Sequence, residues 1–432
     1  MLRRPVKRPR PHLEEVFIMN RTESSRSRNA ISRRAFGTGA LASAAVLATG
    51  APARAQALPP LKVGVLVPRS GIQALLGQAM QRGHDVAVPV LKAAGYPDIE
   101  MVAGDTESSP DIARSAAERL INAGCSVITG CFDSGQTAAA AQVCEQRKTP
   151  LVISIAAAPQ ITEQGYKYVF RNFPRSPAIV QAAYSLQKQL YAATKAPKNV
   201  VIMHVNDTYG TSVIGGIDAM YAAQNPPFKI VEKVAYDPRA RDLSVEVAKA
   251  KATGAEVLWA ISRINDAILI TREMVKQRWE PWGVISTGPG WYEDQYMKTL
   301  GKHGDYPIST IPWFDPQKPM SKKMMDAYRA RFPEFQMDTN LAYSFEAMLI
   351  IADAYKRARS TDADAFAAAL RSTNIKDNVT IGPGVMFDAK GQNDSLGLAA
   401  VQNRGGTLKV VLPKEAAEVA PVFPVPGWNA RG

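Results

Sequence analysis

The sequence predicts an α/β protein made of two doubly wound parallel sheets in tandem, on three observations. Short β-branched runs alternate with longer amphipathic stretches over most of the chain. The alternation pauses at Arg171-Asn172-Phe173-Pro174 and then restarts. At 432 residues the chain is also longer than one ordinary core accommodates, so two domains are expected.

Each element follows from a local pattern. Residues 61–67 form the first strand, followed by a Gly-containing loop and a helix over 77–93 that stops at Gly95. Residues 99–103 are the second strand, and Ser109-Pro110-Asp111 opens the next helix with serine as N-cap and proline at the first helical position. Strands at 126–129 and 151–154 flank a helix over 137–147. After the pause, strands at 200–204, 228–234, 257–261 and 283–286 alternate with helices over 212–222, 243–252 and 266–277. A Trp/Pro-rich stretch at Ile311-Pro312-Trp313-Phe314 precedes two further helices, 322–331 and 340–357. Ligands of such sheets sit at the carboxyl ends of the strands, where loops meet helix N-termini.

Net charge is +13, which raises the question of nucleic-acid binding. Residues 1–55 hold eleven Lys/Arg and three Asp/Glu, a surplus of eight, so the remaining residues carry only five of the thirteen. The body of the chain is therefore mildly basic, and no nucleic-acid partner is expected. The leader has its own logic. Ser32-Arg33-Arg34-Ala35-Phe36 stands before a weakly apolar run at 40–48, too short to span a bilayer. Ala53-Arg54-Ala55 then supplies an A-x-A cleavage site. Residues 1–57 thus read as a cleavable twin-arginine export signal and leader, with Met19 an alternative start, and a periplasmic location follows.

Three cysteines, Cys125, Cys131 and Cys144, leave at least one thiol free, and all three read as structural and buried. Cys125 and Cys131 flank a strand, and six extended residues cover about 20 Å, too far for a disulfide. A Walker loop, a G-x-S-x-G elbow, an H-E-x-x-H pair and metal-spaced Cys/His clusters are all missing from the sequence. Of its four histidines, His12 is in the leader and His84, His204 and His303 are widely separated. No enzyme activity, cofactor or metal is expected.

The order of motifs resembles the type I periplasmic solute-binding proteins, specifically the branched-chain amino-acid (leucine/isoleucine/valine) receptor family. Its carriers begin with Val63-Gly64-Val65 ahead of Ser70-Gly71, Gly104-Asp105-Thr106, and Gly130 with Ser134-Gly135. They continue through Ile153-Ser154 before Ala156-Ala157, Tyr168-Val169-Phe170-Arg171, Asp207-Thr208-Tyr209-Gly210, Asn340-Leu341-Ala342-Tyr343 and Phe387-Asp388. Each motif is weak alone; their shared order over nearly the whole mature chain is specific. The resemblance implies two lobes joined by three hinge crossovers, near 173–177, 311–315 and 387–388. Lobe one would comprise 58–174 plus 312–386, and lobe two 175–311 plus 387–432. It also implies a monomeric component of an ABC importer that closes on a small molecule, an amino acid or organic acid, and delivers it to a membrane permease. A receptor of the same fold that signals instead of transporting fits the sequence as well.

The resemblance also suggests the site. Ser134, ahead of a helix, matches a serine that holds a ligand carboxylate; a helix N-terminus supplies free N–H groups and partial positive charge, although serine there also serves as a plain N-cap. Ala156, Ala157 and Ala158 match the second carboxylate-binding loop, with alanine at 158 where relatives usually place threonine. Asp133 either accepts a donor from the ligand or turns outward. Tyr209 matches a tyrosine covering the ligand from lobe two, with core packing as the alternative, and Leu76 falls at an often aromatic position in lobe one, where it would make an aliphatic contact. Gly290 and Trp291 fall where amino-acid-binding relatives carry an acid for the ligand's ammonium group; the nearest acids, Glu293 and Asp294, lie beyond. Arg263 either faces the cleft, where it would favour a carboxylate, or pairs with Asp266 at the surface. Together these departures favour an organic acid, aromatic in view of Trp291, Tyr292, Trp313 and Phe314, over an ordinary leucine-type amino acid.

Overall fold

The computed structural model describes residues 58–431, so the twin-arginine motif and its cleavage site lie outside the described residues. The first run comprises β1 (Leu61–Val67), α1 (Ala74–Ala93), β2 (Ile99–Asp105), α2 (Pro110–Asn122), β3 (Val127–Gly130), α3 (Ser134–Gln146), β4 (Leu151–Ile153) and β5 (Val169–Arg171). The second comprises α4 (Ser176–Ala193), β6 (Asn199–Val205), α5 (Thr208–Gln224), β7 (Lys229–Tyr236), α6 (Ser244–Ala252), β8 (Val257–Ile261), α7 (Ile264–Lys276), β9 (Gly283–Ser286), α8 (Asp294–Leu300) and β10 (Ile308–Pro312). Then follow α9 (Pro319–Arg331), α10 (Thr339–Ala358), α11 (Ala363–Arg371), β11 (Asn374–Ile375), β12 (Val385–Met386), β13 (Leu398–Arg404) and β14 (Thr407–Leu412).

Two large sheets result. The first has five parallel strands in the order β2-β1-β3-β4-β5. The second has seven, β14-β13-β10-β9-β8-β6-β7. Its five strands from β10 to β7 run parallel, while β13 and β14 are added antiparallel at one edge. The central strands β3, β4, β8 and β9 are buried along their whole length, as strands covered on both faces must be. Helices α9 and α10 return to pack on α1, beside the first sheet. The chain therefore passes between the sheets after β5, after β10 and before β13.

The sequence reading holds in kind, and differs at ends and edges. Helix α3 starts at Ser134 and α5 at Thr208, three and four residues earlier than periodicity suggests, because aspartates cap both. Asp133 accepts from the Gly135 N–H at 2.8 Å and Asp207 from the Gly210 N–H at 2.9 Å. Ser109 occupies the N-cap of α2, but its side chain makes no capping bond. The Trp/Pro-rich stretch conceals β10: Pro312 is its last residue, where a missing N–H costs little. The β13–β14 hairpin is an addition; Gly405 and Gly406, at φ 58° and 74°, supply the left-handed pair its tight turn demands. Cys125, Cys131 and Cys144 are buried free thiols, and burial pushes the Cys144 thiol up to about 12. Among the described residues no helix is long and apolar enough to cross a membrane.

The first and third crossings are tied to each other and to α10 by buried polar side chains. Glu346, inside α10, is fully buried and accepts from the Asn172 amide at 2.8 Å, the Val379 and Thr380 N–H groups at 2.6 and 2.8 Å, and the Thr380 hydroxyl at 2.7 Å. Asn172 in turn accepts from Asn393 at 2.8 Å, and Gln392 donates to the Phe173 carbonyl at 2.8 Å. The first and third crossings thus share one hydrogen-bonded seam. A buried carboxyl group is tolerated there because its oxygens are satisfied by fixed donors.

His84 is different. It is fully buried on α1 and neither ring nitrogen has a partner, so burial, assisted by the charge of Arg69, holds its pKa down to about 3. The unfolded chain then binds the extra proton first, and stability falls as pH drops through 6.5 toward 3. Between pH 7.5 and 5 this group alone should cost about 2 kcal/mol. Urea unfolding of wild type and His84→Leu at both pH values checks it: the variant should lose less stability on acidification by about that amount.

Candidate functional site

The loops after β3, β4, β6, β8 and β9 and the start of α10 meet at a cavity between the two sheets. Its volume is about 560 Å³ counting the open mouth, within the range of small-molecule sites. Most of its wall is apolar: Phe132, Ile155, Ala156, Ala157 and Phe173 from the first sheet's side, Ile179, Pro289 and Tyr292 from the second, and Ile311 and Pro312 at the end of β10. Polar groups are few: Asp133, Ser134, Tyr209, Arg263, Thr287, Thr310, Thr339 and Asn340.

Most of those polar groups are already committed. The Tyr209 hydroxyl donates to the Thr287 carbonyl at 2.6 Å, Thr310 to the Ser286 carbonyl at 3.0 Å, and Thr339 to the Pro312 carbonyl at 2.7 Å. Asn340 donates to Glu293 at 2.7 Å. Ser134 differs, because its oxygen accepts from the Ala158 N–H at 3.3 Å and its own proton remains to be given. Ser134 is also the first residue of α3; the next two N–H groups, of Gly135 and Gln136, are taken by the Asp133 carboxylate.

The Ala156–Ala158 loop is shaped by Arg171. This fully buried guanidinium donates to the carbonyls of Ala156 and Ala158 at 3.1 and 2.7 Å. In a trans peptide the N–H points opposite to the carbonyl, so the Ala157 N–H is turned away from Arg171. Among the described residues that N–H donates to nothing. Ala156 sits at φ 125°, a conformation that is strained for any residue with a Cβ. Strain of this kind persists where the surroundings over-determine the backbone, and Arg171 supplies that constraint.

Arg263 lines the cavity but is not free there: its side chain is only 9% exposed and both terminal nitrogens are taken, Nη2 by Asp133 at 2.5 Å and Nη1 by Asp207 at 2.6 Å. Burial opposes its charge, yet Asp133, Asp207 and Asp266 outweigh burial and hold the pKa above the ordinary arginine value. Asp266 bonds the Arg263 backbone N–H at 2.9 Å and accepts the Tyr236 hydroxyl at 2.6 Å; it caps α7 and does not pair with the guanidinium. Asp133, Asp207, Asp266 and Arg263 together carry a formal charge of −2, set against three converging helix N-termini worth roughly half a positive charge each. The expected excess of positive potential is therefore absorbed by the protein itself.

Six of the ten residues singled out in the sequence line the cavity: Asp133, Ser134, Ala156, Ala157, Tyr209 and Arg263. Four do not. Leu76 is turned by the helical period of α1 into the core. Ala158 lies behind the wall, its N–H on Ser134 and its carbonyl on Arg171. Gly290 packs against the Arg263 carbonyl, which a Cβ would meet at 2.3 Å, so its role is close approach. Trp291 is buried beside Tyr296, its indole N–H on the Ser262 hydroxyl at 2.5 Å; its neighbour Tyr292 takes the cavity position. Trp313 and Phe314 stack on each other behind the cavity at 4.9 Å. Glu293 does not line the cavity either: it is buried and accepts from the Asn340 amide, and burial and the adjacent Asp338 keep its carboxyl well above the usual range. The residues missed were apolar or hydroxylated ones at strand ends and at the start of α10, positions the carboxyl-end rule marks without naming a side chain.

A cavity shut between two sheets and walled by apolar groups, with helix N-termini at one end, is built to hold a molecule. The comparisons with known proteins agree. Residues 60–406 match the family described as periplasmic binding protein, and the chain belongs to it. A Leu/Ile/Val-binding protein homolog 7 of Brucella suis is 28% identical over 88% of this chain and 96% of its own. Among solved structures, the branched-chain amino-acid substrate-binding protein LivJ of Streptococcus pneumoniae, in complex with isoleucine, has a TM-score of 0.70 at 21% identity, covering 82% of this chain and all of its own. A solute-binding protein of R. palustris in complex with benzoate reaches the same TM-score at 18% identity, covering 84% and 98%. These are binding proteins and not enzymes.

Ala156 gives a direct check of the strained loop. Ala156→Gly should relieve the strain, about 1–3 kcal/mol, at an entropic cost of about 0.5–1 kcal/mol. The net expectation is a melting temperature raised by a few degrees in calorimetry.

Proposed function

We propose that this chain is the extracytoplasmic solute-binding component of an ABC importer, taking up a small carboxylate-bearing or amino-acid-like ligand with a compact apolar body. The observation that carries this reading is the pairing of uncommitted donors with an apolar wall. The Ser134 hydroxyl and the Ala157 N–H form a cradle for a carboxylate at the start of α3, whose Gly135 and Gln136 N–H groups are already taken by Asp133, and the rest of the cavity suits hydrocarbon. The isoleucine and benzoate complexes of structural relatives bracket this chemistry. With Asp133 and Asp207 engaged by Arg263 and Glu293 buried outside the cavity lining, no carboxylate among the described residues stands free at the expected ammonium position, which supports an organic acid over an α-amino acid. We assign 58–174 plus 312–386 to lobe one and 175–311 plus 387–432 to lobe two, working as a monomer by hinge closure and docking on a membrane permease.

Calorimetry on the mature chain with benzoate, L-leucine and the keto acid of leucine tests the ligand class. A carboxylate should bind while the corresponding primary amide does not, and Ser134→Ala should weaken that binding about tenfold, the worth of one hydrogen bond to a charged group. Equal binding of acid and amide would refute the cradle.

Export is proposed through the twin-arginine route. Replacing Arg33 and Arg34 by lysine should retain the precursor in the cytoplasm, because that motif is read by a receptor and not as charge alone. Immunoblots of periplasmic fractions decide it, and undiminished delivery of the double-lysine variant would point to the general secretory route.

A further inference from the structure

The buried ion triad at the cavity spans the two sheets. Asp133 follows β3 of the five-stranded sheet, whereas Asp207 follows β6 and Arg263 follows β8 of the seven-stranded sheet. The contact between Asp133 and Arg263 therefore crosses from one lobe to the other, while the one between Asp207 and Arg263 stays within a lobe. All three side chains are at most 20% exposed, so water screens the triad weakly. A second crossing bond lies beside it, from the Asn265 amide to the Ile72 carbonyl at 3.2 Å.

We infer that Arg263 is a latch between the lobes, setting ligand affinity through closure instead of by touching the ligand. Asp207 orients and charges the guanidinium from its own side, and Asp133, fixed as the N-cap of α3, receives it from the other. Closure is then favoured by the protein's own charges before any ligand enters. An occupant need not neutralise Arg263, and any ligand that fits benefits equally. In the open form Arg263 keeps Asp207 but loses Asp133, so the latch has a pivot and a catch.

This rests on the reading of two lobes that move, and the test separates the two ideas. Spin labels at Glu118→Cys on α2 and Ala248→Cys on α6 report the distance between lobes without ligand; the native thiols are buried and do not compete for label. Asp133→Asn and Asp207→Asn both preserve helix capping, since asparagine caps as well as aspartate. Wild type should give a short, narrow distribution. Asp133→Asn should lower the closed-to-open ratio about tenfold, one charge-assisted hydrogen bond, and Arg263→Met should do the same. Asp207→Asn should leave the distribution short. Pro289→Trp, a wedge in the cavity wall, should widen it whether or not the latch exists. A wedge that widens the distance while Asp133→Asn does not would overturn the latch alone, as would equal opening by the two asparagine variants. No change in any variant, the wedge included, would overturn the mobile lobes and the latch with them.

Discussion

A guanidinium taken out of water costs several kcal/mol unless each of its N–H groups finds an acceptor. Arg171 meets most of that demand without an ion pair among the described residues, with four of its five N–H groups bonded: Nε to Gln392 at 2.6 Å, Nη1 to the carbonyls of Ala156 and Ala158, and Nη2 to the Thr162 hydroxyl at 2.8 Å. Its pKa is pushed down to about 9 by burial, with neighbouring Arg175 adding to the effect. Satisfying this one side chain fixes the loop after β4, the end of β5 and the third crossing against one another. The strained Ala156, the outward Ala157 N–H and the placement of Gln392 against Phe173 all follow from it. Through Asn393, Asn172 and Glu346 the same network reaches α10, whose N-terminus supplies Thr339 and Asn340 to the cavity.

Charge in the cavity is handled by opposition of whole helices. Three N-termini converge, and the sequence places an aspartate at two of them and an arginine at the third. The aspartates offset the helix dipoles, and the arginine prevents the two acids from repelling each other across the gap. The site is close to neutral where the sequence suggested a positive field. That explains how an apolar cavity coexists with three buried charged groups: their fields are spent on one another, and the hydrocarbon wall faces little net potential.

The parts of the architecture legible in advance were those dictated by short-range patterning. Strands β8 and β9 coincide with their β-branched runs because a strand buried on both faces must be continuously apolar. The edges were less legible. Strand β10 was hidden by Pro312, and the β13–β14 hairpin by polar residues such as Gln402 and Asn403, which are buried but satisfied: Asn403 donates to the carbonyls of Trp291 and Gly304 at 2.7 and 2.8 Å. Such residues read as loop in a sequence and as core in a structure, because their acceptors come from far along the chain.

By itself the sequence determined the α/β class, the repetition of the sheet and the loops that carry the site, since local periodicity and capping residues act over a few positions. Ser134, Ala156, Ala157 and Tyr209, which line the cavity, were reached through the family resemblance of the motif order. Which way a side chain faces was decided by tertiary structure. Leu76 and Trp291 were drawn inward by the packing of their own sheets, and Tyr292 outward in place of its neighbour. The fate of Arg263 depended on Asp133, 130 residues away, and on Asp207. An ion pair is a property of distance in space, and neither partner's neighbours in sequence carry any trace of it.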